Sequence, residues 1–226
     1  MKKNQDHNIH KEEFQLERLA FFSDAVFAIA ITLLVIEIKV PEVDHAKGVS
    51  DLLLANELAH IIPKFIGVII SFFVIGLYWL SHHRLFGYIN RYNTAILWPN
   101  LFFLMTIILM PFSTAFLSEY YSPDLKLPIA IYTVNIIFTG IMSYRLWSIV
   151  TSSKYAISTI TGNKIVRNYN LTRALAIPLT FLLVLLLSFI SGWIPFLVMP
   201  FMPLISFIIK KYYKKKYPEL IQSHLN

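Results

Sequence analysis

The stretch Leu19-Ala-Phe-Phe-Ser-Asp24-Ala-Val-Phe-Ala-Ile29-Ala-Ile-Thr32-Leu-Leu-Val-Ile36-Glu-Ile-Lys-Val40, closed by Pro41, contains only three ionisable side chains, Asp24, Glu37 and Lys39. An α-helix rises 1.5 Å per residue, so about 20 apolar residues cross the roughly 30 Å of hydrocarbon in a bilayer. This stretch meets that length. About seventeen mostly polar residues precede it, and Ala28-Ile29-Ala30 imitates a small-x-small cleavage site. The apolar run continues ten residues past that point, which predicts an uncleaved first span and not a secretory leader.

Runs of similar length recur. The second is expected from about Ile61 to His82, with Tyr78 and Trp79 near its end at the depth where aromatic side chains meet the interface. A third covers about Ile96 to Leu117, entered at Trp98-Pro99 and kinked at Pro111. The fourth covers about Leu127 to Trp147 and the fifth Leu171 to Ile190, with Pro178 inside it. A sixth begins at about Trp193 after the turn Ser191-Gly192, made irregular by Pro195, Pro200 and Pro203. Of the 226 residues, 56% are hydrophobic and only 15% charged, far from a soluble balance. The predicted fold class is therefore all-α, a six-helix transmembrane subunit.

Charge sets the orientation. With both termini cytoplasmic, only Lys39, Lys47, Lys64 and Lys126 of the 20 Lys and Arg fall outside, leaving sixteen inside. That asymmetry obeys the positive-inside rule, and an odd number of spans would spoil it. The outer connections carry acids, Glu42, Asp44, Asp51 and Glu57 in the first and Glu119 and Asp124 in the second, read as ordinary solvated loop residues. The organisation expected is a cytoplasmic tail over residues 1–17, one six-helix transmembrane domain over 18–213, and a cytoplasmic tail over 214–226. The basic run Lys210-Lys211-Tyr-Tyr-Lys214-Lys215-Lys216 reads first as a topological stop and second as a site for anionic headgroups. A net charge of +7 would suit nucleic acid, but the charges lie in connections and tails in the pattern that membrane orientation demands, so no nucleic-acid partner is expected.

Few groups offer chemistry. Cysteine is absent, which excludes disulfides, thiolate metal sites and cysteine nucleophiles. Zinc-protease and serine-hydrolase motifs are missing, and His82 and His83 diverge by about 100° on a helix, a poor arrangement for one metal. Neither catalysis nor a cofactor is expected. Ionisable groups inside spans are costly and default to functional candidates. Lys39, His82, His83 and Arg84 can snorkel, whereas Asp24 is short and more than a turn inside. On the first helix Ile29, Thr32, Leu33 and Ile36 share a stripe, while Asp24 points about 140° away and makes a second face with Phe27, Ile31 and Val35. Asp24 needs partners at its depth, for which Arg18, His82, His83 and Asn100 qualify. Aliphatic residues at helical spacing are ordinarily packed or lipid-facing, so periodicity alone does not make the stripe a pathway.

The residues Arg18-Leu-Ala-Phe-Phe22-Ser23-Asp24 form an Arg-x-x-x-Phe-Ser-Asp signature. With Leu33 to Pro41, Tyr78-Trp79-Leu80-Ser81-His82-His83-Arg84-Leu85-Phe86, Pro99-Asn100-Leu101 and Pro111-Phe112, the chain resembles bacterial members of the endosomal and lysosomal potassium-channel family called transmembrane protein 175. The likeness is close over spans one to three and one of layout beyond. It implies a potassium-over-sodium channel in the cell membrane, made of four copies whose first helices line the pore. It also implies constricting aliphatic layers at Ile29 and Ile36, with Leu33 beside them, a hydroxyl layer at Thr32 near which permeant potassium passes, and a packing role for Phe22, Ser23 and Asp24. Membrane lipids and further copies of the chain are the partners it implies. No Thr-Val-Gly-Tyr-Gly filter and no arginine ladder is present, so a carbonyl cage and that form of voltage sensing are excluded. The competing expectation is a secondary transporter using Asp24 as a proton or ion site.

Overall fold

The computed structural model describes residues 2–43, 48–122, 124–190 and 202–218. Helix α1 runs Lys2–Ile36 and α2 Asp51–Tyr88; after a 3₁₀ turn at Thr94–Ile96 come α3, Leu97–Ile108, and α4, Met110–Glu119. Helices α5, Leu127–Val150, α6, Lys164–Ser188, and α7, Met202–Lys216, complete the set. Among the described residues the fold is all-α, and its one β-bridge joins Ile89 to Ser158. Among the described residues five helical segments are long and apolar enough to cross a membrane: His10–Ile36, Asp51–Tyr88, Thr94–Glu119, Leu127–Val150 and Lys164–Ser188.

Two helices exceed their apolar runs. The polar segment before Leu19, expected as a tail, is helical from Lys2, so α1 has 35 residues. Helix α2 has 38 residues and spans about 57 Å, nearly twice the hydrocarbon thickness. It starts ten residues earlier than the apolar run because Ser50 caps it: the Ser50 hydroxyl accepts from Leu53 N–H at 3.2 Å. Pro63 sits inside the helix beyond that cap. The extra turns lie N-terminal to Pro63, and just beyond it Lys64 of α2 forms an ion pair with Glu119 of α4.

The expected irregularity at Pro111 is present as a break. Helix α3 ends at Ile108, Leu109 is the single residue between, and Pro111 stands in the first turn of α4, where a missing N–H costs least. Asn135 of α5 faces this break. Oriented to satisfy both amide atoms, its oxygen accepts from Met110 N–H (3.3 Å) and Ser113 Oγ (3.2 Å) while its nitrogen donates to Thr106 O (3.2 Å). A membrane interior has no water to do this, so a side chain from the next helix supplies it.

Helices α5 and α6 make the closest pairing. Gly140 lies directly against the Pro178 ring, so any side chain at 140 would collide with it. Small residues at such a crossing let backbones approach, which in lipid is the main source of helix association. At the α2 end, the turn after Tyr88 is clasped by the connection between α5 and α6: Asn90 N–H donates to Ile157 O at 3.0 Å and Thr159 N–H to Tyr88 O at 3.0 Å. Ile157 and Ile160 bury themselves beneath this clasp. The sixth expected span falls partly outside the described residues, including Ser191-Gly192, Pro195 and Pro200. Its described part, α7, packs on α6 with Tyr213 edge-on to Tyr169 at 5.3 Å, so α7 ends beside the start of α6.

Candidate functional site

Helix α1 touches its own subunit along one line. Ser23, Phe27, Ala30 and Leu34 are buried, at i, i+4, i+7 and i+11, against α2, α3 and α4. The stripe expected from periodicity, Ile29, Thr32, Leu33 and Ile36, lies on the opposite side and is exposed, with Ile29 at 59% and Ile36 at 66%. Phe22 is exposed as well. The expected second face is only partly a packing face: Phe27 is buried and Ile31 half-buried, but Val35 is 62% exposed. The true packing line is rotated from Asp24 toward Ser23, because a helix crossing its neighbours presents the i, i+4, i+7 ridge and not a strip centred on the one charged residue.

Ser23 anchors that line. Its hydroxyl donates to Leu19 O at 2.8 Å, and its oxygen accepts from Asn100 Nδ2 at 3.0 Å. Asn100 Oδ1 in turn faces His82 Nε2 at 2.8 Å. With the amide oxygen as acceptor, His82 carries its proton on Nε2, and the chain from His82 through Asn100 and Ser23 to Leu19 O has donors pointing one way. His82, Asn100 and Ser23 are all buried, so three helices are locked by polar groups that would be expensive to leave unpaired. Aromatic rings close the site: His82 stacks on Phe103 at 5.4 Å and 3°, and Phe27 lies 5.6 Å from His82.

Asp24 is half-buried beside this network and takes a different partner. Trp79 Nε1 donates to Asp24 Oδ1 at 2.9 Å. Of the four partners expected for Asp24, Asn100 bonds Ser23 and His82 bonds Asn100 instead. His83 is exposed with its ring 5.5 Å from Trp79, and Arg18 is exposed over Phe14 at 5.7 Å. Trp79, expected only as an aromatic near the end of its span, is a hydrogen-bond donor within the subunit. Tyr78 is in fact buried, donating to Ile136 O at 3.3 Å. The signal available was helical phase: Trp79, His82, His83 and Phe86 share one side of α2 at i, i+3, i+4 and i+7 spacing, the side that meets α1 and α3.

Thr32 has a definite geometry. Its hydroxyl donates to Ile29 O at 2.8 Å within the same helix. The proton is thereby turned inward along the helix, and the oxygen lone pairs are left free of it on the exposed side.

Residues 18–111 match the family model described as endosomal/lysosomal potassium channel TMEM175. A potassium channel from Chamaesiphon minutus is 33% identical over 188 residues, covering 81% of this chain and 89% of that protein. A potassium channel from Streptomyces collinus is 37% identical over 132 residues, covering 58% of this chain and 62% of that protein. The crystal structure of a lysosomal potassium-selective channel TMEM175 homolog from Chamaesiphon minutus superposes with a TM-score of 0.70 at 30% identity, covering 86% of this chain and 98% of that one.

Proposed function

The chain belongs to the TMEM175 family, and on that premise we propose that it is a potassium-selective channel in the bacterial cell membrane, with four copies placing their α1 helices around one pore. The observation that carries the reading is the one-sided packing of α1. A transmembrane helix whose aliphatic stripe Ile29, Leu33 and Ile36 is left uncovered by its own subunit, while its polar motif is tied inward, is suited to face a shared axis.

At Ile29 and Ile36, rings of branched aliphatic side chains offer an ion no ligand. An ion must shed water to pass, and that cost is smaller for potassium than for the smaller, more tightly hydrated sodium. Selectivity then needs no carbonyl cage, and dewetting of the same rings closes the path. Thr32, one turn from each isoleucine, supplies four hydroxyl oxygens whose protons are already committed to Ile29 O, so they meet a cation as acceptors. The Ser23, Asn100 and His82 chain holds α1 at a fixed rotation on α2 and α3, which sets the stripe's direction. Asp24, bonded to Trp79 and off the stripe, belongs to that frame, which argues against a transporter working through it.

The test is recording from purified protein in a planar bilayer under opposed potassium and sodium gradients. A reversal potential near the potassium value supports the channel; saturable exchange with a fixed proton stoichiometry supports the transporter. The chain lacks cysteine, so single cysteines report without background. Cysteines at 29, 32 and 36 are expected to make current sensitive to silver ions. Block from 27, 31 and 35 with none from 29, 32 and 36 would refute the assigned face. Both termini and the α5–α6 connection are cytoplasmic in this reading, so a cysteine at Ser153 should resist an impermeant reagent added outside intact cells.

A further inference from the structure

A second polar cluster lies at the end of the bundle where α2 finishes, α6 begins and α7 ends. Arg84, one turn from the end of α2, and Arg173 of α6 are close enough to repel each other, and both are partly buried. Tyr169 stands between them: Arg173 Nη1 donates to its hydroxyl at 2.9 Å, and Arg84 is directed at the same oxygen. Arg84 Nε donates to Leu80 O at 3.1 Å. Among the described residues no carboxylate pairs with either guanidinium, and the basic run Lys210 to Lys216 is brought alongside because Tyr213 packs on Tyr169.

Two half-buried cations held by neutral acceptors, the Tyr169 hydroxyl and Leu80 O, are an unbalanced arrangement for a low-dielectric site. Further N–H donors remain on both forks, and paired guanidinium groups match the oxygens of a phosphate. Behind Arg173 a cavity of about 20 Å³, bordered by Ser81, Ser143, Ser206 and Tyr78, has room for one water but not for a tetrahedral anion. An anion is therefore held on the open side, toward the lysines of α7.

We propose that Arg84 and Arg173, bridged by Tyr169, form a phosphate-binding site at the α2–α6–α7 end of the subunit, with the headgroup of an anionic phospholipid as its source. The depth suits a headgroup: on the orientation of the proposed channel this end faces the cytoplasmic leaflet, where basic pockets between helices collect anionic lipid. Binding there ties α2, which carries the Trp79 and His82 side of the motif frame, to α6 and α7.

The experiment uses the purified full chain in neutral-detergent micelles, with phosphatidylglycerol, phosphatidylcholine or inorganic phosphate added. Thermal unfolding and native mass spectrometry are the readouts. Phosphatidylglycerol is expected to raise the midpoint by at least about 3 °C over phosphatidylcholine and to stay bound in the gas phase. Arg84→Gln and Arg173→Gln should abolish that rise, and Lys215→Gln should keep most of it. The same rise with inorganic phosphate alone would make free phosphate the ligand of the site. No response to either probe, an unchanged response in the double Gln variant, or an equal loss in Lys215→Gln would overturn the proposal. Should the Gln variants not fold, Arg173→Lys keeps the charge and loses the fork; it should lower phosphatidylglycerol retention several-fold, and unchanged retention would refute the site. Micelles have no sides and binding is read without current, so a wrong orientation or a failed channel assignment would leave this result standing.

Discussion

Helix α1 and the α5–α6 pair solve the same problem, staying put in lipid, in opposite ways. The most apolar window of α6 is 50% buried within the subunit, whereas that of α1 is 22% buried. Helix α6 is held by shape, with the Gly140 gap receiving Pro178. Helix α1 is held along a narrow line, by polar bonds at Ser23 and Asp24 and by the buried side chains of Phe27, Ala30 and Leu34, and most of its circumference is left uncovered. A membrane helix secured by a few hydrogen bonds can present a large apolar surface to partners without loosening, because the cost of breaking a buried polar link exceeds that of separating two oily faces in oil. The contrast separates a covered helix pair from a largely uncovered helix within a single all-α subunit, the latter being the one that the proposed channel places at its pore.

The sharpest way to break the comparison is to fill the α5–α6 gap. Gly140→Val drives two methyl groups into Pro178, and overpacking of a tight core costs about 3 kcal/mol or more when the neighbour is a rigid ring. Loss of monodisperse protein on size exclusion, or a large fall in the unfolding midpoint, is expected; a wild-type midpoint would mean that the pair is not shape-limited. Next in size is Asn100→Ala, which leaves His82 Nε2 without its partner and takes a donor from Ser23 Oγ, and should cost about 2 kcal/mol. Detergent unfolding measures it, and the same variant should disturb current by letting α1 rotate.

The smallest effect on stability, and the largest on conduction, is expected at the stripe. Ile36→Ala removes an exposed side chain and should change subunit stability by less than about 0.5 kcal/mol. In the bilayer it should raise conductance and bring the potassium and sodium permeabilities closer together. Thr32→Val should lower potassium preference with the assembly intact by size. If Ile36→Ala instead unfolded the protein and left selectivity alone, α1 would be scaffold like α6.

The all-α class and the segments able to cross a membrane were legible because hydrocarbon thickness imposes a run length that no soluble pattern mimics. The stripe on α1 was legible too, since phase on a helix follows from counting. Three things were not. The first turns of α2 carry too many polar residues to register as a span and are helical because of the Ser50 cap. The partner of Asp24 is an indole 55 residues away, and helical phase says which way a side chain points without saying what another helix brings to meet it. The Asn135 bond to the α3–α4 break was hidden for the same reason: a polar residue inside an apolar run announces a need, and the need is defined on a different helix.

The clasp between the turn after Tyr88 and the loop before α6 carries a consequence for biosynthesis. Its donor Thr159 and acceptor Tyr88 are separated by 71 positions in the chain. During translation the first three membrane segments are therefore complete long before their tether is made, and the Ser23, Asn100 and His82 chain, with the Trp79–Asp24 bond, is among the polar links available in the interval. A ribosome-stalled fragment ending at Val150 should already protect Ser23 from modification, as a cysteine in its place would report, while the Tyr88 turn stays open to protease until Thr159 emerges.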